Sequence, residues 1–442
     1  MKCFARAALA AAALTIAFVP SLAPAAAPST RPNIVYIVAD DLGWKDVGFH
    51  GSDIKTPNID ELARTGARLE QFYAQPMCTP TRAALMTGRY PFRYGLQTLV
   101  ILSSHKYGLA LDEWLMPQAL KEAGYETAII GKWHLGHGDA KYWPRQRGFD
   151  SQYGPLIGEL DYFTHKQHGV IDWYRDNKRV DEPGYTTTLF GNAAVKLIEK
   201  HDPRVPLYLY LAFNAPHTPY QAPQAYLDRY KHIEDPARRA YAASISAMDD
   251  EIGRVVRALD KRGMRDNSLI VFQSDNGGTR VVALANWPGH IKPGTVVDGM
   301  MHVVDMYPTI ANLAGAPTAR ARPLDGLDMW GTISEGKPSP RTEIVYNIEP
   351  FRAGIRDGDW KLVWRTPLPE GVELYDIAKD PYEKSNVAAA NPDKVRALQK
   401  RANELAATMV KPLTLQTEFN AMRERLHVPP ALPGEEMMFN EE

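Results

Sequence analysis

Cysteine is almost absent from this 442-residue chain, which contains only Cys3 and Cys78. Two cysteines cannot build the framework of several disulfide bonds that holds many small secreted domains together. Cys3 also lies in a segment with the features of a removable leader, described below, so Cys78 is expected to be alone in the mature protein. A fold held by disulfide bonds is therefore excluded.

An excess of charge of either sign is also absent. The 51 Lys and Arg residues nearly balance the 52 Asp and Glu residues, which gives a formal net charge of −1. This balance argues against a protein that binds nucleic acid through bulk charge. Internal repeats and long low-complexity runs are missing beyond the N-terminal segment. The length and the hydrophobic content of 45% predict one large globular domain and a smaller one.

The first 27 residues have the pattern of a secretory signal peptide. Lys2 and Arg6 give a positive start, residues 7–19 form a short apolar run, and small residues follow up to position 27. The apolar run is too short to span a bilayer. We therefore expect a signal peptide over 1–27, an exported protein that is periplasmic or secreted, and no membrane anchor after cleavage. An unpaired thiol is open to oxidation there, so Cys78 needs a chemical explanation.

Cys78 immediately precedes a predicted helix start. Thr79 suits the N-cap, Pro80 suits the first helical position, and Gly88 suits the end of the helix. The positive end of the helix dipole would then face the thiol, with Arg82 one turn further on. An isolated cysteine in this setting is more often a buried, inert thiol, so its role depends on the rest of the chain.

Polar side chains follow four predicted buried strands at the point where each strand ends. Predicted helices over 57–66, 111–123, 188–200, 237–262 and 304–314 alternate with strands, which favours a mainly parallel or mixed sheet with helices on both faces. In such folds ligands bind beyond the carboxyl ends of the strands. A lone polar residue after a strand usually belongs to the surface, but four such strands predict one site. Its strand-end members are Asp40 and Asp41 after 33–39, Lys132 and His134 after 127–130, His217 after 207–213, and Asp275 and Asn276 after 269–274.

The pattern changes from about residue 341. Short runs at 344–347, 352–356, 360–364 and 373–375 predict an antiparallel sheet, and the helix predicted over 391–409 would cover one face. The tail from residue 411 is expected to lie along the surface. We therefore predict a signal peptide over 1–27, a catalytic domain over 28–340, and a small α+β domain with its tail over 341–442.

The strand-end acids predict a metal site. At about 4 Å and an effective dielectric constant near 20, each like-charge pair among Asp40, Asp41 and Asp275 would cost roughly 4 kcal/mol. A divalent cation removes this repulsion, and oxygen ligands that include the amide of Asn276 favour Ca²⁺ or Mg²⁺ over zinc. An unmodified thiolate at Cys78 would be a poor ligand for such a hard ion.

The remaining strand-end groups are cations or proton carriers. A metal together with Arg82 and Lys132 would clamp a tetrahedral oxyanion, and His134 and His217 offer a base and an acid. This set of groups is suited to the hydrolysis of phosphate or sulfate esters.

Two segments resemble the signature motifs of the type I sulfatases. They are Cys-Thr-Pro-Thr-Arg at 78–82, continuing to Thr-Gly-Arg at 87–89, and Gly-Lys-Trp-His-Leu-Gly at 131–136. The likeness covers nearly the whole mature chain. Further motifs at 40–44, 75–80, 323–328 and 332–336 are most similar to the arylsulfatase B, or N-acetylgalactosamine-4-sulfatase, branch. The resemblance implies an alkaline-phosphatase-like α/β sandwich with a large mixed sheet flanked by helices and a small C-terminal antiparallel sheet with a packed helix.

The resemblance also implies a mechanism. Cys78 would be converted to formylglycine by a maturation enzyme, and one hydroxyl of its hydrate would attack sulfur while His217 protonates the leaving alcohol. His134 would take the proton of the other hydroxyl, which releases sulfate. Arg82 and Lys132 would hold the hydrate and the sulfate oxygens, with Lys132 and His217 binding the substrate. The implied Ca²⁺ ligands are Asp40, Asp41, Asp275, Asn276 and the modified Cys78.

One departure concerns the connection after Asn276. The family usually has a loop there with another sulfate-binding lysine, whereas residues 278–280 run almost directly into 281–284. Loss of one such cation would cost about 2.7–4 kcal/mol of transition-state stabilisation, unless Arg280 supplied a substitute charge. The expected substrate is a sulfated sugar such as N-acetylgalactosamine 4-sulfate, or an aryl sulfate. The alternatives are a phosphate or phosphonate ester hydrolase and a low-activity relative that binds sulfated glycans.

Overall fold

The computed structural model of the protein describes residues 29–366 and 370–426. The predicted signal peptide over 1–27 lies outside these residues. The strands are β1 Asn33–Ala39, β2 Ala67–Leu69, β3 Phe72–Tyr73, β4 Glu126–Gly131, β5 Ser151–Gly154, β6 Lys166–Gln167, β7 Val170–Ile171, β8 Tyr174–Arg175, β9 Lys178–Arg179, β10 Leu207–Ala212, β11 Ser268–Ser274, β12 Ala283–Asn286, β13 Thr295–Val297, β14 Met301–His302, β15 Glu343–Glu349, β16 Arg352–Asp357, β17 Trp360–Arg365 and β18 Gly371–Asp376. The α-helices are α1 Pro57–Thr65, α2 Cys78–Thr87, α3 Met116–Glu122, α4 Thr186–Lys200, α5 Gln224–Leu227, α6 Pro236–Lys261, α7 Met306–Ala314, α8 Trp330–Glu335, α9 Pro392–Ala406 and α10 Leu413–Arg425.

A ten-stranded mixed sheet forms the centre of the molecule. Its strand order is β13-β2-β12-β11-β1-β10-β4-β5-β8-β9. The five neighbouring strands from β11 to β5 run parallel, and antiparallel pairs occur on both sides of them. The predicted large mixed sheet is therefore confirmed.

Helices cover both faces of this sheet. Alternate residues of β1 point to opposite faces, so Tyr36 packs in one apolar cluster and Ile37 in the other. The first cluster includes apolar residues of α2, α3 and α7, and the second includes apolar residues of α1, α4 and α6. Burial on both faces explains why β1 is almost wholly apolar.

The strand register brings the predicted site together. Ala39 at the end of β1 pairs with Ser274 at the end of β11, and Ala212 of β10 pairs with Gly131 of β4. Because these strands are parallel, the residues that follow them emerge at one edge of the sheet. The sheet therefore places the polar residues that follow β1, β4 and β11 beside one another.

Strands β15 to β18 form an antiparallel four-stranded sheet, and α9 packs against β15, β16 and β17. This confirms the predicted small C-terminal sheet with a packed helix.

The tail differs from a simple surface segment because α10 forms over Leu413–Arg425, with Thr414 Oγ1 donating to the Thr98 carbonyl at 3.0 Å. No helix among residues 29–366 and 370–426 is both long enough and apolar enough to cross a membrane.

The helix predicted over 111–123 is shorter than expected. It begins at Met116, and the Gln118 side chain accepts a hydrogen bond from the Leu115 backbone N–H at 3.0 Å. Pro117 lacks an N–H donor and therefore suits only the first turn, which prevents the helix from starting at residue 111.

Candidate active site

Cys78 is the first residue of α2. Met77 before it is extended, with φ −147° and ψ 161°, and the helix ends at Gly88, whose φ of 67° lies in the left-handed region. All ten residues of α2 are buried, and Cys78 is 6% exposed. The prediction that Gly88 ends the helix is confirmed. The prediction that Thr79 caps it is wrong, because the Thr79 hydroxyl donates to the His134 carbonyl at 3.0 Å.

The predicted acids surround the Cys78 thiol. Its Sγ lies 3.4 Å from Asp40 Oδ1 and 4.0 Å from Asp41 Oδ1. The amide nitrogen of Asn276 donates to the same sulfur at 3.3 Å. Asp275 joins the group through its Oδ1, which accepts from the Asp41 backbone N–H at 3.2 Å. Three predicted ligand residues thus contact the Cys78 sulfur, and the fourth, Asp275, joins them through Asp41.

Arg82 and Lys132 are buried cations that contact the acidic cluster of Asp40, Asp41 and Asp275 and balance part of its charge. Lys132 Nζ donates to Asp40 Oδ2 at 2.6 Å, and both side chains are fully buried. Arg82 Nε donates to Asp275 Oδ2 at 2.9 Å, and its Nη2 lies 3.5 Å from Asp40 Oδ1. Arg82 also donates to the Lys132 carbonyl at 2.9 Å, so the two cations are linked directly.

The acids differ in their protonation behaviour. Burial raises the pKa of Asp40, but the nearby Lys132, His217 and Arg82 side chains outweigh burial, so its pKa lies below the ordinary value. Burial and the neighbouring Asp275 raise the pKa of Asp41. Burial and Asp40 raise the pKa of Asp275. Two cations therefore satisfy only part of the negative charge of three carboxylates.

The two predicted histidines lie at different depths. His217 Nε2 is 3.5 Å from Asp41 Oδ2, and its Nδ1 is 2.7 Å from the Thr218 carbonyl. His134 is 5% exposed, and its Nε2 lies 3.1 Å from the Ile101 carbonyl. Burial, followed by the charges of Lys132 and Arg82, lowers the pKa of His134 well below its ordinary value. His134 is therefore neutral near pH 7.

Two site residues have left-handed backbones that non-glycine residues seldom adopt. Asp41 has φ 65° and His134 has φ 59°. Such conformations cost about 1–3 kcal/mol each and persist where the surroundings impose them. The fold holds both side chains at the sheet edge in spite of this cost.

The donor set fits a hard divalent cation. One potential ligand atom from each of Asp40, Asp41, Cys78 and His217 lies within 4.8 Å of the others. The raised pKa values of Asp41 and Asp275 mean that an additional positive charge would stabilise their ionised forms. Carboxylate oxygens favour Ca²⁺ or Mg²⁺, whereas the Cys78 sulfur is the ligand type that these ions disfavour.

The connection after Asn276 is short. It turns through Gly277 and Gly278, whose φ values are 93° and 115°, and the Thr279 carbonyl accepts from the Ala74 N–H at 2.9 Å. The Arg280 guanidinium lies 4.3 Å from the ring centroid of Trp44, and its Nε donates to the Glu70 carbonyl at 2.8 Å. Neither of these partners of Arg280 is a member of the acidic cluster.

Several contacts of the site join residues that are far apart in the sequence and cannot be read from it. Thr79 lies 55 positions from His134, and Ile101 lies 33 positions from it. Gln75 Nε2 also donates to the Val345 carbonyl of β15 at 3.0 Å, across 270 positions. No local pattern marks such contacts, because they depend on how distant loops pack.

Known proteins similar to this chain include sulfatases. The Sulfatase family profile matches residues 32–316, and a profile described as N-sulphoglucosamine sulphohydrolase, C-terminal, matches residues 257–411. Arylsulfatase J of Mus musculus is 34% identical over 461 residues, covering 87% of this chain and 77% of the relative. N-acetylgalactosamine-6-sulfatase of Mus musculus is 32% identical over 371 residues, covering 73% of this chain and 70% of the relative.

A solved structure agrees with these relatives. The crystal structure of Ps i-CgsB in complex with k-i-k-neocarrahexaose has a TM-score of 0.81 and 31% sequence identity, and the match covers 93% of this chain and 100% of that one. The predicted likeness to the N-acetylgalactosamine-4-sulfatase branch in particular stays a prediction. The family profile covers most of the chain, and the predicted catalytic groups meet at one sheet edge. The chain therefore belongs to the sulfatase family of sulfuric ester hydrolases.

Proposed function

We propose that this protein is an exported sulfatase that removes sulfate from sulfated carbohydrates. Its nucleophile would be formylglycine derived from Cys78, and its metal would be Ca²⁺, with Mg²⁺ as the other ion of suitable chemistry. The observation that carries the proposal is the position of Cys78. Its sulfur lies 3.4 Å from Asp40 and 3.3 Å from the Asn276 amide, at the start of a buried helix.

A thiol fits this position poorly, which supports the conversion of Cys78. Burial raises the pKa of the Cys78 thiol well above its ordinary value, so the nucleophilic thiolate is disfavoured. The neighbouring carboxylates oppose a negative sulfur as well. A formylglycine hydrate would supply a neutral oxygen nucleophile and a hard oxygen donor in the same place. The catalytic residue is therefore best explained as modified.

The cation would be held by Asp40, Asp41, Asp275, Asn276 and the converted Cys78. When bound, it would neutralise the carboxylates and polarise sulfate oxygens as a Lewis acid. Arg82 and Lys132 remain part of the acidic cluster through their contacts with Asp275 and Asp40. They would add fixed positive charge where the sulfate oxygens develop negative charge.

The histidines are suited to opposite proton transfers. The Thr218 carbonyl can only accept a hydrogen bond, so His217 Nδ1 carries a proton and Nε2 is the ring atom that faces Asp41. In its protonated form, His217 would give the Nε2 proton to the leaving alcohol. His134 is neutral and buried, and its Nδ1 has no hydrogen-bond partner among the described residues, so it would act as the base.

The substrate class is proposed from the names of the relatives. One relative is an N-acetylgalactosamine-6-sulfatase, and one similar structure was solved in complex with k-i-k-neocarrahexaose. We therefore propose a sulfated sugar as the natural substrate, with aryl sulfates as model substrates. N-acetylgalactosamine 4-sulfate is the candidate that the sequence motifs favour. The partners would be this carbohydrate and a formylglycine-generating maturation enzyme, with no nucleic acid.

Export and the domain division complete the proposal. Residues 1–27 would act as a signal peptide, and the mature protein would be periplasmic or secreted without a membrane anchor. The catalytic domain would span 28–340, and the small α+β domain with its tail would span 341–442. The lone Cys78 is compatible with an oxidising compartment only if its thiol is converted or shielded, which agrees with the proposed modification.

Mass analysis of the peptide that contains Cys78 tests the proposal directly. Protein produced with a competent maturation enzyme should show an aldehyde or its hydrate at Cys78, and the Cys78→Ala variant should show neither the modification nor sulfate release. A fully intact thiol in an enzyme that releases sulfate at full rate would contradict the proposed nucleophile.

Comparison of esters that differ in the group transferred, sulfuryl or phosphoryl, separates this function from the phosphate and phosphonate alternatives. Purified, converted protein should turn over nitrophenyl sulfate with a higher kcat/KM than nitrophenyl phosphate or a phosphonate monoester. A strong preference for phosphate would contradict sulfatase activity. Sulfated-glycan binding without sulfate release from a broad panel would instead indicate a binding protein.

A further inference from the structure

We propose that Thr79 and Ile101, supported by Gly158, are positioning residues that hold His134 in a single tautomer with Nδ1 free to accept a proton. This inference rests on the proposed function, in which His134 is the base. Thr79 occupies the position directly after Cys78, where the sequence predicted a helix cap. Its hydroxyl has a different role in the structure.

The three residues form a closed ring of hydrogen bonds. Thr79 Oγ1 donates to the His134 carbonyl at 3.0 Å and accepts from the Ile101 backbone N–H at 3.1 Å. The Ile101 carbonyl closes the ring, with His134 Nε2 at 3.1 Å. Thr79 and Ile101 are 0% and 1% exposed, so water does not compete for these bonds. The Thr79 hydroxyl therefore contacts both the backbone of His134 and that of Ile101, whose carbonyl accepts the hydrogen bond from the His134 ring.

The acceptor decides the tautomer. A backbone carbonyl has no proton to donate, so the contact with Ile101 requires a proton on His134 Nε2. A neutral imidazole carries only one proton, and Nδ1 then holds a free lone pair. His134 Nδ1 is buried and has no partner in the described chain. This is the state that a general base needs before it acts.

Gly158 packs closely against the imidazole of His134. A Cβ at Gly158 would lie 2.2 Å from His134 Cε1 and 2.8 Å from Nδ1, so only glycine leaves room for the ring. The segment is held in place because the His134 backbone N–H donates to the Leu156 carbonyl at 3.1 Å. The Asp172 carboxylate in turn accepts from the Leu156 N–H at 3.0 Å.

Two further histidines hold the segment that contains Ile101. His105 Nδ1 accepts from the Leu102 N–H at 3.1 Å, and His137 Nε2 lies 3.0 Å from the Ser103 carbonyl. Leu102 and Ser103 directly follow Ile101, so three consecutive residues each contact a histidine. The acceptor of His134 is therefore part of a loop that is anchored by contacts with other residues of the chain.

A double-mutant cycle tests whether Thr79 acts through His134. In converted protein, Thr79→Val should lower kcat by about tenfold to a hundredfold with little change in KM, because small displacements of a catalytic group are costly. The same substitution made in His134→Ala should change kcat by less than about twofold, because residues that act as one unit are non-additive. Equal losses in both backgrounds would overturn the proposal.

Three comparisons separate positioning from general damage. Thr79→Ser keeps the hydroxyl and should restore kcat. Thr309→Val is the matched control, because Thr309 is 1% exposed and its hydroxyl also donates to a carbonyl and accepts from an N–H, yet it lies in α7. Its kcat should be unchanged. Because Thr79 is adjacent to Cys78, kcat is expressed per converted molecule, with the converted fraction measured by mass analysis.

Nitrogen NMR of histidine-labelled protein provides a readout that does not depend on activity. The His134 signal is assigned by its loss in His134→Ala, and it should report an Nε2-protonated neutral ring. Thr79→Val should give mixed tautomers or exchange broadening, and Thr79→Ser should restore the original signal. A proton on Nδ1 in the unsubstituted protein, or an identical spectrum in Thr79→Val, would overturn the inference. If the proposed function failed because no sulfate ester was hydrolysed, this spectrum would still decide the role of Thr79.

Discussion

The buried pair between Lys132 and Asp40 allows a quantitative test of the site. Lys132 Nζ lies 2.6 Å from Asp40 Oδ2, and both side chains are 0% exposed. Lys132→Met keeps most of the volume and removes the charge, which leaves Asp40 with the more distant Arg82 Nη2 at 3.5 Å as its cationic partner. Breaking a buried ion pair by removing one partner costs about 3–5 kcal/mol. We expect this loss in the free energy of unfolding of metal-free protein.

A surface pair supplies the matched control. Lys121 Nζ lies 2.5 Å from Asp150 Oδ1, but the two side chains are 54% and 36% exposed. Lys121→Met should therefore cost only about 0–1 kcal/mol, because solvent already screens this interaction. Both variants are compared with the unsubstituted protein by urea unfolding followed by fluorescence, in the presence of a chelator.

Added calcium should reduce the effect of Lys132→Met. The cluster holds three carboxylates, from Asp40, Asp41 and Asp275, and two cations, from Arg82 and Lys132. Its formal charge is therefore −1, and the substitution makes it −2. A more negative site binds a divalent cation more tightly, and binding to the folded state alone raises stability. A loss below about 1 kcal/mol in chelator, or one that calcium does not reduce, would refute the reasoning.

Three further predictions use other buried groups. Cys78→Ala should abolish sulfate release while changing the free energy of unfolding by only about 1 kcal/mol, as measured by turnover and urea unfolding. Burial raises the pKa of Glu251 to about 7, so the fold favours its neutral form and loses stability as pH rises from about 4.3, the unfolded value, to about 7. Glu251→Gln should remove that part of the pH dependence of unfolding between pH 5 and 8, whereas an unchanged slope would contradict it. Arg341→Met leaves the buried Asp305 unpaired and should cost about 3–5 kcal/mol, compared with about 0–1 kcal/mol for the exposed Arg320→Met.

The sequence could predict the strand-end residues because one simple rule places them. Parallel strands end at the same sheet edge, so the polar residues after β1, β4 and β11 had to meet there. Lys132 accordingly contacts Asp40 directly, and Arg82 contacts both Asp40 and Asp275. Apolar runs that end in polar residues were therefore sufficient to predict which strand-end residues belong to the site.

The contacts between loops could not be predicted in the same way. The Thr79 hydroxyl fitted a local rule for helix caps, but tertiary packing brought a carbonyl and an N–H from distant loops to the same atom. Those partners lie 55 and 22 positions away, where no periodicity connects them. The short helix at Met116–Glu122 shows the opposite case. Pro117 is a local signal that the helix begins next to it, whereas the apolar pattern alone extends the predicted helix back to residue 111.

The complete burial of α2 also has a consequence for the order of events in biosynthesis. Cys78 is 6% exposed, and all ten residues of α2 are buried. A maturation enzyme therefore cannot bind this segment in the folded protein. Conversion of Cys78 would therefore have to precede folding, while the chain is still extended. Delayed conversion would leave a well-folded molecule permanently inactive. The specific activity of a preparation would then depend on the rate of conversion relative to the rate of folding, and not on the stability of the folded protein.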